Sequence, residues 1–131
     1  MWNNIKGDNK MKIAKLLNAD MREEGNLELL HEALFKLPFF REYKKAPTTD
    51  QIESAIKKMQ KKYPVQLSYI NTAPGANDDE PLLYYSLMVK RTDNHQHVKT
   101  VYAMTLFEGL AKVALLMYAF IQKLKSEEAG Q

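Results

Sequence analysis

The chain has 131 residues, a hydrophobic content of 45% and a net charge of +3 at neutral pH. This length suits one domain, and the hydrophobic content is sufficient for a core. The absence of cysteine excludes disulfides, thiolate nucleophiles and cysteine-ligated metal sites. The small positive charge falls well short of that of an obligate nucleic-acid binder. The first ten residues show no signal-peptide core and no myristoylation pattern, so a cytoplasmic protein is expected.

Two short helices are predicted in the N-terminal third of the chain, after a frayed start. The first covers about residues 10–24, where apolar residues recur loosely at helical spacing, and Gly25 ends it. The second has Asn26 as its cap and runs to Leu37, because Pro38 cannot continue a helix. Leucines on one face of the second helix favour a helical hairpin that lies over another apolar surface.

A connector rich in aromatic and charged residues follows over residues 39–47, and a third helix begins at a Thr-Thr-Asp cluster. Either Thr48 with Gln51 or Asp50 with Glu53 would form a capping box, in which two side chains satisfy backbone N–H groups at the helix start. The helix has one clean apolar stripe and ends at the next proline. Its opposite face carries four lysines: Lys57, Lys58, Lys61 and Lys62.

The hydrophobic period then changes to two, which is typical of half-buried strands. Three strands are predicted, at residues 65–69, 82–91 and 98–104. A loop that contains Pro, Gly and an acidic run separates the first two strands. A short turn joins the second strand to the third and makes them an antiparallel hairpin.

The last helix is apolar almost all the way round. From Leu106 to Ile121 only Glu108 and Lys112 carry charge, whereas a helix on a protein surface has a polar face. It is too short and too interrupted to span a bilayer, which needs about 20 largely apolar residues. It is therefore predicted to be covered on more than one side. Thr105 and Glu108 form a T-x-x-E capping box that marks its start.

The predicted fold is a single α+β domain over residues 1–131 with the element order α-α-α-β-β-β-α. Residues 1–47 form the hairpin and connector, residues 48–126 an α-β-β-β-α core, and residues 127–131 a frayed tail. The third and last helices are predicted to pack on one face of a three-stranded antiparallel sheet. The hairpin is expected to cover the second side of the last helix, and a dimer through that helix is the alternative.

Residues 50–124 resemble two known families. The helix I-E-S-A-I-K-K-M-Q-K-K-Y, three strands and the closing helix T-L-F-E-G-L-A-K-V-A-L-L are similar to the phage ABA-sandwich family, which comprises small phage and prophage proteins of unknown function. The same order of elements resembles the double-stranded-RNA-binding domain. That family grips phosphates with a basic K-K-x-A-K start to its last helix, where this chain has L-F-E. RNA binding in that manner is therefore not expected. Neither resemblance covers residues 1–49.

Two sets of residues are candidates for binding. The four lysines of the third helix could follow a phosphate backbone, although a solvated helix face opposite an apolar stripe is the simpler interpretation. The connector and the last helix supply the residues expected to contact a partner protein. Those of the last helix are candidates only if the hairpin leaves them exposed. These residues are Phe39, Phe40, Tyr43, Met117, Tyr118 and Ile121.

Catalytic and metal-binding residues are sparse. His95 and His97 lie two residues apart near a turn, and a metal-assisted hydrolase would use them as ligands. Two imidazoles are too few for zinc, which normally takes three or four protein ligands, so solvated turn histidines are preferred. The common nucleotide-binding and hydrolase motifs do not occur, and no catalytic residue, metal or cofactor is predicted.

The sequence therefore predicts a small non-enzymatic binding or accessory protein of phage or mobile-element type, with no membrane association. It would act through contact with another protein or by self-association. The alternative is a nucleic-acid-binding module that uses the lysine face of the third helix, with weak affinity. A metal-assisted hydrolase is the second alternative.

Overall fold

The computed structural model describes residues 13–74 and 83–129 of the chain. Residues 13–17 are helical and are called α1. The other helices, α2, α3 and α4, span Asn26–Phe35, Thr49–Lys62 and Leu106–Ala129. The strands β1, β2 and β3 span Val65–Pro74, Leu83–Arg91 and His97–Ala103. The predicted α+β class and order of elements are confirmed.

The three strands form one antiparallel sheet in the order β1-β2-β3. Leu87 and Val89 of the central strand β2 are fully buried. Leu87 pairs with Val101 of β3, and Val89 pairs with Leu67 of β1. Since paired residues share a face of the sheet, apolar side chains of all three strands meet on the side that α3 and α4 cover.

The first strand is longer than predicted and contains a bulge. The register against β2 shifts between Leu67 and Tyr69, and the extra residue Ser68 donates its hydroxyl to the carbonyl oxygen of Met88 at 3.3 Å. A bulge inverts the alternation of side chains that follow it. The alternating sequence pattern therefore predicts that the first strand ends at residue 69, whereas the backbone pairing of β1 with β2 continues to Pro74.

Helix α3 begins at the first of the two predicted capping boxes. The backbone N–H of Gln51 donates to Thr48 Oγ1 at 3.2 Å, and the backbone N–H of Thr48 donates to Gln51 Oε1 at 2.8 Å. The apolar stripe is buried as predicted, and it packs against α4 and β1. Its buried members are Ile52, Ala55, Ile56 and Met59.

The N-terminal hairpin differs from the prediction in its first helix. Helical geometry ends at residue 17 rather than near residue 24, because polar side chains there bond to the local backbone instead. Asn18 donates its amide to the carbonyl oxygen of Ala14 at 3.2 Å, and Asp20 accepts the backbone N–H of Arg22 at 2.9 Å. These contacts replace the last two predicted turns of the helix with a tight loop.

The start of α2 also differs from the prediction. Its N-cap is Gly25, in the left-handed region at φ 88°, and no side chain caps the helix. Asn26 donates its amide back to the carbonyl oxygen of Asp20 at 2.8 Å, so it secures the preceding loop. The helix ends at Phe35, two residues before the predicted end.

The hairpin nevertheless covers α4 as predicted. Leu30 and Leu34 of α2 are fully buried, and they share one core with Leu17 and with α4. The α4 residues that a dimer would have used are covered by the protein's own chain, which rules against the dimer through this face. These residues are Leu110, Val113, Ala114, Met117 and Ile121.

The end of α4 continues through Ala129, so the tail predicted to fray from residue 127 is helical at least that far. The predicted frayed start and most of the loop that holds the acidic run lie at residues 1–12 and 75–82, outside the described residues. Within the described ranges, no helix is long and apolar enough to cross a membrane.

Candidate functional site

A buried ion pair lies within α4. Lys112 Nζ is 2.7 Å from Glu108 Oε2, and the two side chains are only 2% and 5% exposed. Lys112 also donates to the carbonyl oxygens of Ala19 at 3.0 Å and Tyr102 at 3.2 Å. Each of the three ammonium hydrogens therefore has an acceptor. The other oxygen of Glu108 accepts the backbone N–H of Met104 at 3.2 Å.

The pair joins three parts of the chain. Through Lys112, α4 holds the loop after α1 and the end of β3. The backbone N–H of Glu108 donates to Thr105 Oγ1 at 3.1 Å, which confirms the hydroxyl half of the predicted capping box. The carboxylate, however, reaches the N–H of Met104, one residue earlier than in a capping box. Because Lys112 has no donor left to offer, we assign it a structural role.

An apolar cleft opens beside the ion pair, with a volume of about 560 Å³. That size lies within the range of small-ligand pockets in proteins. The rings of His31 and Phe107 meet edge to face in its wall, with centroids 5.7 Å apart and planes at 82°. Residues from the loop after α1, α2, the connector and the start of α4 line this apolar cleft: Met21, Arg22, Leu27, His31, Ala46, Met104, Thr105, Phe107 and Glu108.

Apolar side chains at the apolar cleft remain in contact with solvent. Leu27 lines the cleft and is 41% exposed. Arg22 is paired with Asp20 through two hydrogen-bonded nitrogens, and the same contact lowers the pKa of Asp20. The cleft thus offers mainly apolar surface with a few polar groups.

A second cleft of about 270 Å³ lies between the connector, the end of α3 and the second half of α4. We call it the lysine cleft. Lys62 Nζ is 5.7 Å and Lys125 Nζ 5.4 Å from the centroid of the Tyr63 ring, within the range of cation–π interactions. Its lining residues are Pro38, Phe39, Lys58, Met59, Lys62, Tyr63, Tyr118, Ile121, Gln122 and Lys125.

The electrostatics of the lysine cleft favour negative charge. The ammonium group of Lys125, and to a smaller extent that of Lys62, holds the pKa of Tyr63 below its usual value of 10.0. A positive charge next to an ionisable phenol stabilises the phenolate.

The four lysines predicted to form one basic face are all exposed on α3, and the prediction that they bind phosphate stays a prediction. Lys58 and Lys62 line the lysine cleft. Lys57 forms an exposed ion pair with Glu53 at 3.4 Å, and Lys61 is exposed outside both clefts. The fold adds Lys125, which lies more than 60 residues away in sequence and could not be grouped with the α3 lysines by spacing.

Three of the six residues predicted to contact a partner are core residues instead: Phe40, Met117 and Ile121. Phe40 packs edge-on against Tyr43, with ring centroids 5.4 Å apart, and α4 is covered by α2 and α3. Phe39 and Tyr118 are partly buried and line the lysine cleft, where Ile121 also contributes. Tyr43 is 39% exposed, which leaves part of its ring available to a partner.

The two turn histidines do not form a cluster with other ligands. His97 Nε2 forms a hydrogen bond with Thr100 Oγ1 at 2.8 Å, and His95 has a left-handed backbone with φ 60°. Among residues 13–74 and 83–129, no three His, Cys, Asp or Glu residues are grouped to hold a metal ion.

Comparison with known proteins identifies no relative of this chain. No family model matches it, and no curated protein or solved structure is significantly similar to it. The resemblances to the phage ABA-sandwich family and to the double-stranded-RNA-binding domain therefore stay predictions from the sequence.

Proposed function

We propose that the protein is a small non-enzymatic binding protein that holds a partner protein through the apolar cleft. The observation that supports this function is a cleft of about 560 Å³ with apolar walls and an exposed leucine at its edge. Burial of apolar surface is favourable by about 25 cal/mol per Å². A partner that fills the cleft would gain this free energy.

The lining favours an apolar side chain of the partner as the occupant. Met21 and Met104 have flexible thioether side chains that adapt to different shapes. Phe107 and His31 provide a flat wall. The hydroxyl of Thr105 could orient a polar group of the partner next to the apolar side chain that fills the cleft. Pockets that combine apolar walls with a few polar groups are typical binding sites.

The buried ion pair supports this proposal because it fixes two of the segments that line the apolar cleft, the loop after α1 and the residues before α4. Lys112 bonds to the carbonyl oxygen of Ala19, two residues before Met21. Glu108 bonds to the backbone of Met104 and to Thr105 Oγ1. A site that is already ordered loses less conformational entropy when it binds.

The biological setting is part of the same proposal. The resemblance of residues 50–124 to the phage ABA-sandwich family favours an accessory protein of a phage or mobile element. The absence of cysteine suits a reducing, cytoplasmic environment. The genes next to this one would test the setting, since adjacent phage genes are expected.

A peptide library displayed on phage provides a direct test of the apolar cleft. We expect selected peptides to share one large apolar residue and to bind Leu27→Asp at least tenfold more weakly, since burial of one such side chain is worth about 1.5–3 kcal/mol. Leu29→Asp is the matched control, because Leu29 lies on the same helix, is 50% exposed and does not line the cleft. Equal loss of binding in both variants, or no enrichment of peptides, would contradict the proposal.

A further inference from the structure

Three lysines line the lysine cleft, and its lining contains no acidic residue. Lys58 and Lys62 lie one turn apart on α3, and Lys125 approaches from α4. Within the described ranges, none of the three forms an ion pair, whereas Lys57 on the same helix is paired with Glu53. Like charges that line one cleft repel one another, and an anionic ligand would reduce that repulsion.

The same cleft has aromatic walls. Phe39, Tyr63 and Tyr118 each retain exposed surface and come from the connector, the end of α3 and α4. The side-chain amide of Gln122 adds a donor and an acceptor. Positive charge next to aromatic rings is the combination that single-stranded nucleic acids require, because phosphates need cations and unpaired bases stack on rings.

We propose that the lysine cleft binds a nucleotide of single-stranded nucleic acid, which is a function beyond partner binding at the apolar cleft. Lys58, Lys62 and Lys125 contact the phosphate, and the base packs against Phe39 and Tyr118. A base in a duplex is stacked between its neighbours and cannot present its face to a ring, so the cleft prefers a single strand. Its volume of about 270 Å³ limits the contact to a short stretch of strand.

Fluorescence polarisation with a labelled oligothymidylate about eight nucleotides long tests this proposal. Each phosphate contact in a single strand contributes roughly −0.7 to the slope of log affinity against log salt concentration, so three contacts give about −2. Lys58→Gln, Lys62→Gln and Lys125→Gln are each expected to reduce the slope by about 0.7. The matched controls, Lys57→Gln and Lys61→Gln, alter lysines of α3 outside the cleft and should leave the slope unchanged.

Other ligands separate the parts of the proposal. Weaker binding of an abasic strand of equal length supports base stacking, and equal binding overturns it. A polyglutamate peptide or a DNA duplex that binds as tightly as the single strand would overturn the assignment to nucleotides. If thymidine monophosphate competes with the strand, the natural ligand is a free nucleotide. If the strand binds and thymidine monophosphate does not compete, the natural ligand is a strand. Either result supports a nucleotide site in the lysine cleft.

Failure of this proposal is distinguishable from failure of partner binding at the apolar cleft. The triple variant with all three cleft lysines changed to glutamine should still bind the peptides selected on the apolar cleft, which also shows that it is folded. No binding of oligothymidylate by the unmodified protein at low salt would overturn the nucleotide site alone.

Discussion

Replacement of Lys112 by methionine is expected to destabilise the protein by about 3–5 kcal/mol, the usual cost of removing one partner of a buried ion pair. Methionine keeps an unbranched side chain of similar length but has no charge and no donor. The Glu108 carboxylate would stay buried without its cation. The carbonyl oxygens of Ala19 and Tyr102 would lose their bonds to Lys112, and an unsatisfied buried acceptor costs about 1–3 kcal/mol.

A second substitution tests whether the loss of stability comes from the buried charge of Glu108 that Lys112→Met leaves without a partner. In Lys112→Met with Glu108→Gln, the amide oxygen still accepts the backbone N–H of Met104, but no charge remains buried. Because an amide is easier to bury than a carboxylate, the double variant should be at least about 1 kcal/mol more stable than the sum of the two single losses predicts.

Urea unfolding followed by circular dichroism measures these free energies. Lys123→Met is the matched control, since Lys123 is exposed on the same helix, and it should change stability by no more than about 0.5 kcal/mol. A loss below about 1 kcal/mol in Lys112→Met would refute the reasoning. A double variant whose loss of stability equals the sum of the two single losses would also refute the reasoning. If the variants are too unstable for urea unfolding, thermal unfolding allows the same comparison.

Two further predictions concern packing and pH. A Cβ on Gly109 would lie 2.6 Å from Leu87 Cδ1, so Gly109→Ala should lose about 1–3 kcal/mol to overpacking against about 1 kcal/mol gained in helix propensity. The same substitution in a Leu87→Ala background should be neutral or stabilising in urea unfolding, and a loss there would contradict the steric explanation. Arg91 holds the pKa of Asp93 below 3.8, so their pair supports the fold above that pH and loses its effect as pH falls through the lowered value. In Asp93→Asn, the free energy of unfolding should therefore fall slightly less steeply as the pH is lowered into the acid range. An unchanged pH dependence would contradict a stabilising role of the Arg91–Asp93 pair.

Elements with local causes were predictable from the sequence. The Thr48–Gln51 capping box lies within four residues, and the apolar stripe of α3 follows from helical spacing alone. The all-round apolar character of α4 required cover on two sides, and the sheet, α3 and the hairpin supply it. The start of α2 was predicted less well, because Asn26 had a competing acceptor six residues earlier at Asp20.

The candidate sites depended on contacts between distant parts of the chain. Glu108 and Lys112 lie one helical turn apart, and two opposite charges at that spacing in an otherwise apolar helix were a signal for a buried pair. The acceptor of Lys112 at Ala19, 93 residues away, gave no such signal. Lys125 likewise joins Lys58 and Lys62 only because α4 packs along α3.

The sequence by itself determined the α+β class, the order of elements and the burial of α4, because hydrophobic period and capping act within a few residues. Only the tertiary structure decided which polar groups work together. It buried Phe40, Met117 and Ile121, which had been expected at a partner surface, and it created both clefts. Burial and charge clustering arise from packing between helices and sheet, which no spacing along one element records.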